Sequence, residues 1–271
     1  MIPNHWTQNK IKINNARLNY YRTGDRKKPP LVLVHGFSDS GLCWLKTAID
    51  LESDFDVIMP DARGHGQSER INHNEPMDMA SDLAGMITKL DLKHPVVVGH
   101  SMGAMAAFQM SVRCQKIPRA LVLEDPPWWQ LQTQSEQSQS QNNPFASWIE
   151  GIQRLPLEKV IAQTRLEHPT WPEWTLQTWC PAKMQLDTNI FLTPNIEGNT
   201  WLEEISRLSC PTLIVTADPQ KGGIVTPEIA VRAKKLNSLC QVVNFPGIGH
   251  HIRFEDYQKY MNTLRTFFSE L

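Results

Sequence analysis

Ser101 stands between two glycines in the run Gly99-His100-Ser101-Met102-Gly103. The apolar run Pro95-Val96-Val97-Val98 precedes it, and a helix-compatible run from Ala104 to Met110 follows. A turn that passes straight from strand to helix leaves little room for a Cβ on its flanks, which favours glycine there. Such a turn lifts the serine Oγ above the sheet and points the next N–H at whatever the Oγ attacks. The chemistry on offer is nucleophilic; the plain alternative is an ordinary strand–helix turn with an idle serine. No second nucleophile competes in the sequence. The cysteines at 43, 114, 180, 210 and 240 are odd in number, widely spaced and free of C-x-x-C. They read as buried or incidental thiols, not as a disulfide framework or a zinc site. His65, His73 and His94 lack carboxylates at ligand spacing, and H-E-x-x-H, G-x-G-x-x-G and P-loop patterns are all missing. Neither a metal nor a nucleotide cofactor is expected.

The elements that must hold Ser101 are legible as short apolar runs separated by helical patterns. Lys10–Ile13 and Leu18–Tyr21 flank Asn14-Asn15 and predict an N-terminal hairpin. Strands are then expected at Leu31–Val34, Val57–Met59, Val96–Val98, Leu121–Leu123, Leu213–Val215 and Val242-Val243. Their nearly continuous Val, Leu and Ile content fits parallel strands covered on both faces. Met79, Leu83, Ile87 and Leu90 repeat at helical spacing, as do Ile229, Ala233 and Leu236 after Thr226-Pro227. This alternation predicts an α/β fold with an open, mostly parallel sheet and helices on both faces. Ligands of such sheets sit beyond the carboxyl ends of the strands, where every polar motif of this chain falls.

The alternation breaks between about Pro126 and Ser209. Residues 1–126 and 210–271 are expected to form the core, and 127–209 a helical, tryptophan-rich cap inserted into it. Seven of the nine tryptophans lie in that insertion. Together they predict a pocket with apolar, aromatic walls. Trp128 and Trp129 follow directly on a strand end and are the expected substrate-facing pair. A tract from Gln130 to Asn143, dense in Gln and Ser, reads as a flexible surface loop. With 41% hydrophobic and 20% charged residues and a net charge of −1, the 271-residue chain reads as a soluble globular protein. Its scattered Lys and Arg argue against nucleic acid or an anionic membrane as partner. No signal-peptide pattern opens the sequence and no run approaches a membrane span, so a cytoplasmic location is expected. Oligomeric state is not legible.

Four motifs in order resemble the α/β-hydrolase superfamily: His35-Gly36-Phe37, Asp61-Ala62-Arg63-Gly64-His65-Gly66-Gln67-Ser68, the Ser101 turn, and Gly247-Ile248-Gly249-His250. The resemblance covers nearly the whole chain except the insertion. It implies that Ser101 is a nucleophile whose proton is taken by His250 and returned to the leaving group. His251 is the neighbouring alternative. The backbone N–H groups of Phe37 and Met102 would form an oxyanion hole, while His35, Asp61, Arg63 and His65 would shape loops.

The third member has three candidates. The superfamily's acid commonly stands three residues past the small residue closing the penultimate strand, yet here that residue is Gln220. Asp218 comes earlier and reaches the histidine if its loop bends early. Glu124 and Asp125, at the preceding strand end, are the alternatives, because an acid acts by geometry and not by chain position. Asp218 is the first expectation. The resemblance then implies a serine hydrolase acting on a carboxylic ester or lactone of a small to medium apolar or aromatic substrate, through an acyl-enzyme. Two other readings remain open at this level: a C–C bond hydrolase of the meta-cleavage-product type, and a ligand-binding or signalling protein that keeps the shell.

Overall fold

The structure is a computed structural model that describes residues 2–72, 77–128, 143–192 and 201–271. Its strands are β1 Thr7–Ile13, β2 Ala16–Arg22, β3 Pro30–Val34, β4 Asp56–Pro60, β5 Val96–His100, β6 Ala120–Glu124, β7 Thr212–Thr216 and β8 Cys240–Asn244. They form one eight-stranded sheet in the order β1-β2-β4-β3-β5-β6-β7-β8. The expected hairpin is present: β1 and β2 pair antiparallel from Thr7↔Arg22 to Ile13↔Ala16, and Asn14 takes the left-handed φ of 50° that the tight turn needs. β2 also runs antiparallel to β4. Every later pairing, from β3–β4 to β7–β8, is parallel.

The helices are α1 Leu45–Leu51, α2 Met79–Lys89, α3 Met102–Arg113, α4 Pro144–Gln153, α5 Leu157–Glu167, α6 Glu173–Gln185, α7 Trp201–Glu204, α8 Pro227–Leu236, α9 Ile252–Glu255 and α10 Tyr257–Ser269. The strands' period of two divides their side chains between two cores. Val32, Val34, Val97, Leu121, Leu123 and Ile214 pack with Leu83, Met86, Met105, Phe108 and Ile229, from α2, α3 and α8. Leu31, Leu33, Val96, Val98, Ala120, Val122 and Val215 pack with Ala48, Leu51, Tyr260, Leu264 and Phe267, from α1 and α10. A strand covered on both faces must be apolar at every position, which is why these runs are continuous in sequence.

Helices α4–α7 lie between β6 and β7. Ile152, Val160, Trp171, Leu176 and Trp179 form a third cluster with Cys43 and Phe254, residues near the strand ends. Asn143 opens α4 by accepting the Phe145 N–H (2.9 Å). The rest of the Gln/Ser tract, expected to be a surface loop, lies outside the described residues, as does Trp129. The five cysteines are free, four buried and Cys114 half-buried; burial pushes the Cys43 and Cys240 thiols up to about 12. No helix among the described residues is long and apolar enough to cross a membrane.

Candidate active site

The turn carrying Ser101 is as tight as its glycines require. A Cβ on Gly99 would lie 2.4 Å from the Gly103 carbonyl oxygen, and one on Gly103 would lie 2.4 Å from that of Val34. Ser101 itself has φ 51° and ψ −118°, a backbone conformation that costs a non-glycine residue on the order of 1–3 kcal/mol. The turn is held from both sides. Ser101 N–H donates to the Glu124 carbonyl (2.9 Å), and Met105 N–H to the Ser101 carbonyl (3.0 Å). Met102 opens α3, so its N–H is among those left without an intrahelical partner at the positive end of the helix dipole.

Facing this turn is the loop that leaves β3 at His35-Gly36-Phe37. A Cβ on Gly36 would meet the Ser101 Cβ at 3.4 Å and His100 Nδ1 at 2.5 Å, so the loop's backbone lies against the serine. Its shape depends on two neutral histidines. His65 Nε2 accepts the Ser38 N–H (3.2 Å) while Nδ1–H donates to the Arg63 carbonyl (2.8 Å). His35 Nε2 accepts the Ala62 N–H (3.0 Å) while Nδ1–H donates to the Gly36 carbonyl (2.8 Å). Asp61 gathers the next loop, accepting from Gly41 N–H (2.7 Å), Gln67 N–H (2.8 Å) and the Asn19 amide (2.9 Å). Arg63 makes a two-pronged bond to Asp82, at 2.5 and 2.8 Å. These four residues therefore build the loops around the serine, as expected.

Such bonding predicts acid sensitivity. Burial holds His65 down to about 3 and lowers His35 and His100 as well; all three are 1% exposed or less. A histidine that stays neutral when folded binds its proton only after unfolding, so stability falls as pH drops below the unfolded value of about 6.5. For His65 the loss is about 1.4 kcal/mol per pH unit, about 3 kcal/mol by pH 4.5, and the lowered His35 and His100 add to it in the same direction. Thermal melts from pH 8 to 4.5 should show a steep fall in Tm beginning near pH 6. A Tm that is flat from pH 7 to 5 would contradict it.

His250 and Ser101 line the same cavity of about 220 Å³, with Phe37, Phe145, Trp148 and Trp179 as aromatic walls. The His250 ring is half-buried and its Nδ1–H donates to Asp125 Oδ2 at 2.6 Å, a carboxylate with no solvent exposure. That finding corrects the first expectation for the acid. Asp218 is occupied by two backbone N–H groups instead. One carboxylate oxygen caps the turn Pro219–Lys221 by accepting the Gln220 N–H (2.9 Å), and the other accepts the Gly247 N–H (2.8 Å). These N–H donors hold its carboxyl below the usual range. Asp125 instead sits at φ 41° just past β6 and also accepts N–H bonds from Ile224 (2.9 Å) and Val225 (3.1 Å). Glu124, the other alternative, is bonded to Arg253.

The pocket expectation also needs correction. Trp128 is fully buried, stacked on Trp201 (4.9 Å, 12°) and edge-on to Phe108 (5.3 Å). It belongs to the core, because the chain leaving β6 tucks its first aromatic ring under the inserted helices and over α3. The cavity walls come from Trp148 on α4 and Trp179 on α6. Sequence reasoning also passed over Lys183, which lines the cavity four residues after Trp179; that helical spacing puts both side chains on one face and was a usable signal. His251 stacks on Phe254 (5.3 Å, 13°), and only its neighbour His250 reaches Asp125.

Among the described residues one group of side chains has ligand-type atoms close enough for a metal: Asp39, His100 and His251, all within 4.8 Å. The surrounding charge does not suit a cation. Asp39 is already bonded to Lys183 (2.7 Å) and Arg253 (3.3 Å), so an incoming metal would face two positive charges at close range. Burial alone would raise the Asp39 carboxyl, yet Lys183, His251 and Arg253 hold it well below the usual range.

Comparison with known proteins fits this architecture. The chain superimposes on a thermophilic esterase from Thermogutta terrifontis with a TM-score of 0.75 at 24% identity, covering 97% of this chain and 98% of that one. An enol-lactonase from Burkholderia xenovorans LB400 gives 0.76 at 18% identity, covering 96% and 100%. A sequence match to Epoxide hydrolase 4 of Mus musculus is 29% identical over 106 residues, covering 38% of this chain and only 30% of that protein's length. The family model described as the alpha/beta hydrolase family matches residues 31–262, and the chain belongs to that family.

Proposed function

We propose that the protein is a serine hydrolase that cleaves a small carboxylic ester or lactone through an acyl-enzyme. The observation that carries this reading is the His250–Asp125 bond of 2.6 Å at the edge of the cavity that also exposes Ser101. In this reading Asp125 fixes the ring with its proton on Nδ1, which leaves Nε2 to take the Ser101 proton. The Ser101 Oγ attacks the acyl carbon, and the N–H groups of Phe37 and Met102 receive the negative charge that develops on the carbonyl oxygen. His250 then passes its proton to the departing alkoxide. Water, activated by the same ring, releases the acid and restores the serine.

Helices α4–α6 act as the cap, and their aromatic side chains exclude water from the acyl intermediate. A space of about 220 Å³ is below the usual range for drug-sized ligands and favours short acyl groups. The esterase and enol-lactonase named above share this fold, and ester and lactone hydrolysis are the activities proposed here.

Activity-based labelling tests it. A fluorophosphonate probe should modify the purified protein at one site, the peptide bearing Ser101, as mapped by mass spectrometry. In a p-nitrophenyl ester series, kcat/KM should be highest for acetate to butyrate and at least tenfold lower at octanoate. Turnover of a dienol with none of any ester would replace ester hydrolysis by C–C cleavage. Tight ligand binding with no labelling would make the protein a binding module.

A further inference from the structure

We propose that Lys183 is a positioning residue, acting through a buried ionic chain, Lys183–Asp39–Arg253–Glu124, that ties the inserted helices to the three loops carrying the proposed catalytic groups. The inference rests on the serine-hydrolase reading for the meaning of those loops, not for the coupling itself. All four residues are 1% exposed or less. Lys183 Nζ donates to Asp39 Oδ1 (2.7 Å) and to the Ser38 carbonyl (3.1 Å). Asp39 Oδ2 accepts from Arg253 Nη2 (3.3 Å), and Arg253 Nη1 donates to Glu124 Oε2 (3.2 Å). The Arg253 backbone N–H donates to the same carboxylate (3.2 Å).

Each link falls beside a group the reaction needs. Ser38 and Asp39 follow Phe37 in the loop over Ser101. Arg253 comes three residues after His250, and Glu124 immediately precedes Asp125. Lys183 comes from α6, one of the helices between β6 and β7, with its ammonium 4.1 Å from the Trp179 ring centre. The Arg253 guanidinium is fixed between Trp44 (4.2 Å) and Phe254 (4.4 Å). Two positive and two negative charges alternate, so the chain is neutral as a unit.

Stability alone does not explain such an arrangement. Burying four charges costs desolvation that their attraction repays only in good geometry, and well-packed apolar side chains of similar size commonly do as well. What charges add is direction: every bond in the chain fixes an angle as well as a distance. A shift of a fraction of an ångström in an N–H donor or a base is enough to slow a reaction whose groups must be aligned. The chain therefore sets the loop of Phe37, the ring of His250 and the end of β6 in register with the wall of the pocket.

The test removes the cap-side link without leaving an unbalanced charge. In Lys183→Met/Asp39→Asn, Arg253 keeps Glu124 and the buried charge remains zero. Hydrogen exchange by mass spectrometry should speed up at least tenfold in residues 36–39 and 249–254, with the melting temperature changed by only a few degrees. On p-nitrophenyl butyrate, kcat should fall at least tenfold while KM stays within twofold. Lys183→Arg, which preserves the charge, should recover at least a third of wild-type kcat. Lys183→Met alone, in which Asp39 keeps Arg253 but one buried negative charge is left over, serves if the double variant does not fold, with exchange again the deciding readout. Unchanged exchange in both loops overturns the proposal whatever the activity. So does a kcat loss that merely follows a lowered melting temperature. Faster exchange in a protein whose wild type cleaves no ester would instead leave the coupling intact and remove the hydrolase reading.

Discussion

Asp125→Ala is expected to lower kcat/KM for p-nitrophenyl butyrate by about 10⁴-fold, the scale at which a triad acid matters when the other members remain. Asp218→Asn is expected to change it less than twofold. The contrast follows from where each carboxylate is spent. Asp125 is buried without exposure and shares Oδ2 between the His250 Nδ1–H (2.6 Å) and the Ile224 N–H (2.9 Å), while Oδ1 takes the Val225 N–H (3.1 Å). Alanine removes the acceptor for the imidazole, so nothing selects the tautomer that leaves Nε2 free. It also strands two loop N–H groups, which costs about 1–3 kcal/mol for each that water cannot reach. A lowered melting temperature is therefore part of the expected result. Asparagine is the finer probe. Its amide oxygen keeps two bonds if it takes the place of Oδ2 and only one in place of Oδ1, so the ring should stay correctly oriented. What is lost is the negative charge opposite the imidazolium and, with it, the preference for the catalytic tautomer, so a decrease of about 10⁴-fold is still expected while the ring keeps its place. Steady-state kinetics at a temperature well below each variant's Tm measure all three. A large loss in Asp218→Asn with a small one in Asp125→Ala would reverse the assignment.

The difference between these two aspartates also marks how far the sequence could be read. Ser101 and Gly99 were legible because the constraint is local, the Gly103 backbone excluding a Cβ at Gly99, whereas Gly103 answers to the Val34 carbonyl at the end of β3. The parallel sheet was legible because strands covered on both faces are apolar along their buried runs, as Leu31–Val34, Val96–Val98 and Ala120–Leu123 are. The acid was not, since both Asp218 and Asp125 end a strand and only the path of the following backbone decides which carboxylate turns inward. No local signal separated them, because each precedes a proline, Pro126 and Pro219. Only Asp218 caps the turn that follows it, and with its second oxygen on the Gly247 N–H it has little left for the histidine. The pocket walls were harder still. Trp128 and Trp148 look alike as tryptophans near an insertion, but one is sandwiched by Phe108 and Trp201 while the other lines the cavity. That distinction depends on how α4–α7 pack onto the sheet ends, a long-range outcome with no periodic signature.

Ser101→Ala carries the largest expected effect, a loss of about 10⁶-fold in kcat for p-nitrophenyl butyrate with fluorophosphonate labelling abolished. The backbone should be unaffected. The φ of 51° is imposed by the Ser101 N–H bond to the Glu124 carbonyl and the Met105 N–H bond to the Ser101 carbonyl, neither of which involves the hydroxyl. Alanine therefore keeps the strained turn and removes only the Oγ. Groups arranged for chemistry are seldom arranged for stability, so the melting temperature should stay equal or rise by a few degrees. Residual hydrolysis, if measured, would come from water polarised beside the Phe37 and Met102 N–H groups, on the order of 10³-fold above the uncatalysed rate. The sharper form of the result is its non-additivity. If Ser101, His250 and Asp125 act as one unit, adding Asp125→Ala to Ser101→Ala should cost almost nothing further, because a base with no nucleophile to serve contributes little. Separate losses that multiply in the double variant would mean that Asp125 supports the cavity by some route other than His250. Undiminished turnover in Ser101→Ala would remove the serine from the mechanism altogether.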